Sequence, residues 1–321
     1  MKLWSLSFLL LVAMIGASAL PTQLGMIGKS VLGEAGLATL EVTQPDYTSY
    51  NPAAIALAYD GKVYTQGGYE VINFDNGPTV KRDSEIVVFE PFKGKGYIVR
   101  LARYGIDSNV ENMGHHYGLE FDGQSYEVSL AKALNDKVAL GVTWIPYEKI
   151  TTEIYRHDNL FVKDTAKCGN EIIAGLTWKP IDKLTLGATY DYGRTTSDFV
   201  LGPDSPHPHF DSDKFKTRLM TYGASYQILE NTTVSANFQR GHTSGPGYYD
   251  KVKLDRYAVT QKIGRASVTV DYFDHAWGAS AQYTTKKGMT IGASYAPDTL
   301  RASEDVLGRA KICSVWLGKT W

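Results

Sequence analysis

Cysteine, long apolar runs and excess charge are all scarce in this chain. Only Cys168 and Cys313 occur in 321 residues. They fall in segments distant in strand order, so two free thiols are expected rather than a disulfide framework. No CxxC, HExxH or GxSxG spacing appears, which leaves no recognisable metal, cofactor or nucleophile motif, and an enzyme is not expected. Formal net charge is −1, so no field of one sign is available to hold nucleic acid. After the first nineteen residues no apolar run approaches 18 residues, which excludes spanning helices.

The start of the chain has its own pattern. Lys2 precedes a nearly unbroken apolar run from Leu3 to Ile15, and Ala17-Ser18-Ala19 follows. A charged start, a short apolar stretch and an A-x-A site read as a secretory signal peptide over 1–19, cleaved after Ala19. Leu20 rather than Cys follows the site, so no lipid anchor is indicated.

Tyrosine and glycine are abundant, at 21 and 31 residues. A tyrosine ring suits a surface that is half lipid and half water, and glycine in strands permits close approach. Much of the chain alternates in polarity. Leu184, Leu186, Ala188, Tyr190 and Tyr192 interleave with Thr185, Gly187, Thr189, Asp191 and Gly193; the same pattern runs through 138–144, 220–228, 234–238 and 289–295. Period two places one face against an apolar phase. A soluble sandwich would use a core for that phase, and a membrane barrel would use lipid.

Connection lengths favour the barrel. Strands are expected near 61–72, 83–90, 95–106, 115–133, 137–155, 167–179, 183–200, 214–229, 232–243, 251–263, 265–273, 276–286, 289–297 and 309–321. Short turns at 91–94, 134–136, 180–182, 230–231, 264 and 287–288 alternate with longer connections at 73–82, 107–114, 156–166, 201–213, 244–250 and 298–308. A tight turn near Asp274-His275 is the exception. Outer-membrane barrels carry this asymmetry of tight periplasmic turns and longer external loops. The fold class is therefore all-β: a transmembrane antiparallel β-barrel over 61–321 with about fourteen strands. Twelve is the alternative if 265–297 forms two strands. The apolar parity of 115–133 switches near Asp122-Gly123, which predicts a bulge. Trp321, with Leu317, Val315 and Cys313 on one face, resembles the terminal signal read by the barrel-assembly machinery, although Lys319 departs from it.

Residues 25–60 do not alternate. Asn51 can cap a helix and Pro52 suits its first position, predicting a short apolar helix over 52–58. The run Gly33-Glu34-Ala35-Gly36-Leu37-Ala38, followed by Asn51-Pro52-Ala53 and the first strand, resembles the N-terminus of FadL-type outer-membrane transport proteins. That resemblance implies a fourteen-stranded barrel with residues 20–60 folded into the lumen as a hatch. It also implies passive uptake of hydrophobic small molecules, fatty-acid or hydrocarbon-like, across the bacterial outer membrane. Asn51, Pro52, Ala53, Ile55 and Leu57 would then line the hatch or the ligand path. The partners implied are outer-membrane lipid, the assembly machinery and an apolar ligand. The chain is short for that family and closer in size to its PorV and PorQ relatives, so an interaction component of a protein secretion system is an alternative. A porin for polar solutes is another, since Thr189, Asp191, Asn237 and Gln239 would face the lumen. His207, His209 and Asp211 are weak metal candidates in a predicted external loop without ligand spacing.

Overall fold

Alternating strands give each residue one of two faces, and the exposed face here is the apolar one. Along 217–226, Leu219, Thr221 and Ser225 are buried while Met220, Tyr222 and Tyr226 are exposed. Along 138–144, Ala139 and Thr143 are buried while Leu140, Val142 and Trp144 are exposed. Ile291, Tyr295, Val315 and Leu317 continue the exposed set, and Thr290, Ser294 and Ser314 the buried one. This inversion suits a wall with hydrocarbon outside and polar groups inside. The computed structural model describes residues 51–321 apart from 76, 110, 113–116, 157–158, 202–212, 246–247, 274–275 and 300–309. The expected signal peptide and residues 20–50 of the expected hatch lie outside the described residues.

Among the described residues one short helix, α1 (Pro52–Ala58), precedes the strands. The strands are β1 (Tyr64–Phe74), β2 (Thr79–Phe89), β3 (Tyr97–Ser108), β4 (Glu111–Asn112), β5 (Tyr117–Ala133), β6 (Val138–Arg156), β7 (Asn159–Cys168) and β8 (Glu171–Ile181). The second half contributes β9 (Leu184–Leu201), β10 (Asp213–Leu229), β11 (Thr232–Gly245), β12 (Tyr248–Ile263), β13 (Ala266–Phe273), β14 (Ala276–Thr284), β15 (Met289–Thr299) and β16 (Ala310–Thr320). All pairings are antiparallel, and β1 pairs with β16 from Tyr64↔Thr320 to Phe74↔Ala310. The ring is thereby closed, and no edge is left to meet lipid. Trp321 extends the seam: its backbone N–H donates to the Val63 carbonyl at 2.9 Å, and its indole N–H donates to Thr65 Oγ1 at 3.0 Å. No helix among the described residues is long and apolar enough to cross a membrane.

The ring has fourteen positions. β4 is a two-residue strand on the flank of β5, and β7 with β8 shares one position between β6 and β9. Fourteen strands, not twelve, is the outcome, because residues 265–297 form three: β13, β14 and β15. Two details of the expected wall need correction. Several connections expected to be long are short, because the strands run on: β1 and β2 pair as far as Asn73↔Thr79, and β6 ends at Arg156 with β7 resuming at Asn159. Added length lies in strand extensions past the membrane as well as in loops.

The predicted bulge at Asp122-Gly123 is also absent. Register with β3 runs unbroken through Asp107↔Asp122 and Ile106↔Gly123. Leu119 and Phe121 are buried on the same face as Ser125 and Glu127; what changes is the polarity of the lumen, not the backbone. The irregularity falls instead where Tyr126 pairs with Tyr147 and Val128 with Trp144. Pro146 lies in that interval and has no N–H to give a ladder. The extra residue flips parity, so the lumen side passes from Thr143 and Ile145 to Ile150, Thr152 and Ile154. On the next strand, β7 and β8 are separated by Gly169 and Asn170, and Asn170 has φ 68°. The wall is thus interrupted at one level on two neighbouring strands.

Candidate functional site

Asn51 starts α1 and also fixes it to the wall. Its side-chain oxygen accepts from the Ala53 N–H at 3.1 Å, satisfying a free amide of the first turn. Its side-chain nitrogen donates to the Leu176 carbonyl at 3.2 Å and to Thr177 Oγ1 at 3.0 Å. Asn51 is fully buried, so all three bonds form away from water, where losing a partner leaves a stranded polar group. Pro52 occupies the first helical position, where its missing N–H costs nothing.

Two glycines form the seat. Gly141 of β6 and Gly175 of β8 are register partners. A Cβ on Gly141 would stand 2.5 Å from the Ala53 amide nitrogen. One on Gly175 would stand 2.9 Å from Pro52 Cδ and closer still to Asn51 Oδ1. The helix backbone therefore lies directly on the strand backbone, at a distance no larger residue permits. Sequence alternation marks neither glycine, because the partner each must admit is more than eighty residues away.

From this seat α1 presents Ile55 to an apolar compartment of Tyr64, Ile86, Val88, Ile98, Ala102, Tyr104 and Ala131, with Ala56 and Tyr59 at its margin. Ile55 is 1% exposed. The Tyr59 hydroxyl accepts from the Glu90 N–H at 3.1 Å, and burial pushes its pKa up from the ordinary phenol value. Of the five residues expected on the hatch or ligand path, Asn51, Pro52, Ala53 and Ile55 gather at the seat and compartment. Leu57 is only half-buried and stands outside the apolar cluster.

Elsewhere the lumen is polar. Thr189, Asp191, Asn237 and Gln239 all face inward and are buried. Charged groups there are paired: Arg100 with Glu127 at 2.6 Å, Arg256 with Asp271 at 2.8 Å, and Arg82 with Glu70 at 3.4 Å. Glu70 also accepts from Ser314 Oγ at 2.9 Å, which ties β1 to β16. Arg100 reaches the Tyr104 hydroxyl as well, so a fully buried cation borders the apolar compartment. Cys313 is a free thiol on the outward face. No group of three or more His, Cys, Asp or Glu among the described residues is placed to hold a metal; His207, His209 and Asp211 lie outside them.

No family profile and no curated protein matches the chain. Solved structures do. A Pseudomonas aeruginosa FadL homologue superposes with a TM-score of 0.60 at 14% identity, covering 91% of this chain and 97% of that one. The Ralstonia pickettii toluene transporter TbuX gives 0.54 at 13% identity, covering 90% and 95%. The translocator domain of the Neisseria meningitidis autotransporter NalP gives 0.53 at 14%, covering 96% and 99%, so overall barrel shape is shared across proteins with different tasks. With a ring of fourteen strands and a helix seated on its inner wall, the chain has the FadL-type fold.

Proposed function

We propose that this protein is an outer-membrane channel through which apolar small molecules pass by exchange with α1. The observation that carries this reading is the apolar compartment beneath Ile55, set in a lumen otherwise lined by hydroxyl, amide and paired charged groups. A polar passage has no use for Ile86, Val88, Ile98, Ala102 and Ala131 on its inner wall. A solute the size of toluene, hiding about 200 Å² of apolar surface, would gain about 5 kcal/mol there. Displacing Ile55 costs a comparable fraction of that gain, so occupancy and hatch position are coupled. The toluene transporter and monoaromatic hydrocarbon channel among the fold neighbours support the same class of cargo. Short turns at one end and strand extensions at the other support the usual orientation, with α1 toward the periplasm. The outward Leu317 and Val315 of β16, the strand that closes the ring on β1, support recognition by the assembly machinery.

Liposome uptake of toluene or a labelled fatty acid tests the proposal. Protein-dependent entry is expected, and Ala102→Phe, which places a ring where Ile55 and its neighbours now pack, should return entry toward the protein-free rate while the barrel stays folded. Uptake that ignores the protein would refute the reading. A second reading, a path for polar solutes, is favoured by one observation. The inner wall of β10–β15 is lined by groups such as Thr221, Ser225, Thr269, Ser280 and Thr290, whereas α1 packs mainly on β5, β6 and β8. Steady single-channel conductance of porin size would favour it over the first.

A further inference from the structure

The outer wall of β9–β12 changes character at one height. Its lower part is apolar and aromatic: Tyr190, Met220 and Tyr257 are exposed, and Phe238 packs against Tyr222 and Tyr257 at 5.5 and 6.1 Å between ring centroids. Read across the register, the row above Met220 is Tyr192, Arg218, His242 and Lys251. The next holds Arg194, Lys216 and Tyr249. Lys253 flanks this strip below and Lys214 above. Strand neighbours are about 4.8 Å apart, so these cations fall within a patch roughly 15 Å wide.

The patch is strongly one-sided for a chain of net charge −1. Arg240 is neutralised by Asp255. By contrast Arg194, Lys214, Lys216, Arg218, Lys251 and Lys253 are exposed and have no acidic partner among the described residues. Arg194 leans on the Tyr192 ring, its Nε donating to the hydroxyl at 2.7 Å, and His242 stacks on Tyr249 at 5.3 Å. Aromatic rings beside unpaired cations, directly above an apolar belt, match the chemistry of a lipid headgroup zone.

Height places the strip at that zone. Tyr192 stands ten residues beyond Asp182 in the short turn, about 33 Å along a strand and about 25 Å after a tilt of roughly 40°. That is the height of an outer-membrane apolar band. We infer that this strip binds the phosphate groups of an anionic lipid in the external leaflet, seating its acyl chains on the aromatic belt below. Arginine suits phosphate through paired N–H donors, and each cation near an anionic surface adds to the attraction. The inference rests on the barrel's orientation and not on what the lumen carries.

The test uses the full-length protein in a neutral detergent, titrated with a bisphosphorylated diglucosamine lipid and, separately, with its dephosphorylated form. Bound lipid is counted by native mass spectrometry. The wild type should bind the phosphorylated lipid at least tenfold more tightly than the dephosphorylated one. The triple variant Lys216→Gln, Arg218→Gln, Lys251→Gln should lose that preference, and Arg218→Lys alone should keep most of it. Binding to the wild type should also weaken as salt rises from about 50 to about 500 mM, as the Debye length shrinks; this arm needs no variant. Equal affinity for the two lipids, or for wild type and triple variant, would overturn the inference. So would binding of an oligoglutamate peptide, or of inorganic phosphate, in preference to the phosphorylated lipid.

Discussion

Asn51 is where α1 should be easiest to release without touching the wall. Replacing it by Ala removes the cap on Ala53, worth about 1 kcal/mol. It also removes two bonds to Leu176 and Thr177, each worth about 0.5–1.5 kcal/mol. The total is about 2–4 kcal/mol, and 1.4 kcal/mol is a factor of ten, so undocking of α1 should become roughly 30- to 700-fold more frequent. Hydrogen exchange at the Tyr59 amide, which donates to the Ile55 carbonyl at 2.9 Å, reads that opening directly. Asn51→Asp keeps the capping oxygen but has no N–H for the Leu176 carbonyl, and at this fully buried position its carboxylate is stranded against that oxygen, so it should exchange at least as fast as the Ala variant. Thr177→Val should give a smaller acceleration. If Asn51→Ala leaves exchange at Tyr59 unchanged while the barrel remains folded, then α1 is held by Ile55 and its neighbours alone, and the pinning argument is wrong.

Three further outcomes follow from the same geometry. Gly175→Ala should displace α1 at a cost of about 1–3 kcal/mol, seen as faster exchange at Tyr59, whereas Gly67→Ala should be silent because its Cβ would meet nothing nearer than 3.9 Å. Arg100→Met should lower the heat of barrel unfolding on a gel-shift assay by the equivalent of about 3–5 kcal/mol, since it leaves Glu127 buried without its partner; Arg100→Met with Glu127→Leu should recover most of the loss. In a Cys168→Ser background, Cys313 in intact membranes should resist a charged maleimide but react after unfolding; rapid labelling in membranes would contradict a lipid-facing β16.

The barrel was legible because alternation is local: Tyr190, Met220 and Ile291 announce an apolar face within five residues of themselves. Strand length was harder to read, since nothing in 75–78 or 157–158 separates a loop from a hairpin whose strands run on past the membrane. The bulge was misplaced for a related reason. Leu119 and Phe121 are apolar but face the lumen, so polarity suggested a flip the backbone does not make, while Pro146 causes the flip that exists. At α1, the chemistry of Asn51 and Pro52 is visible in sequence, but its partners are not. Gly141 and Gly175 resemble every other strand glycine until the fold brings a helix against them. The basic strip on β9–β12 is likewise invisible in order of sequence, because its cations are spread over 194–253 and meet only through register.

The interrupted level at Pro146 and Gly169-Asn170 separates two register systems. Below it, a one-residue insertion would turn every belt side chain of its strand toward water and ruin the wall. Above it, the pairing of β6 with β7 restarts at Glu148↔Cys168, so the upper strands already carry their own phase. Residues can be added or lost there without the membrane segment registering the change. The length of the β6–β7 hairpin is thus uncoupled from the register of Gly141 and Gly175, which seat α1 beneath it.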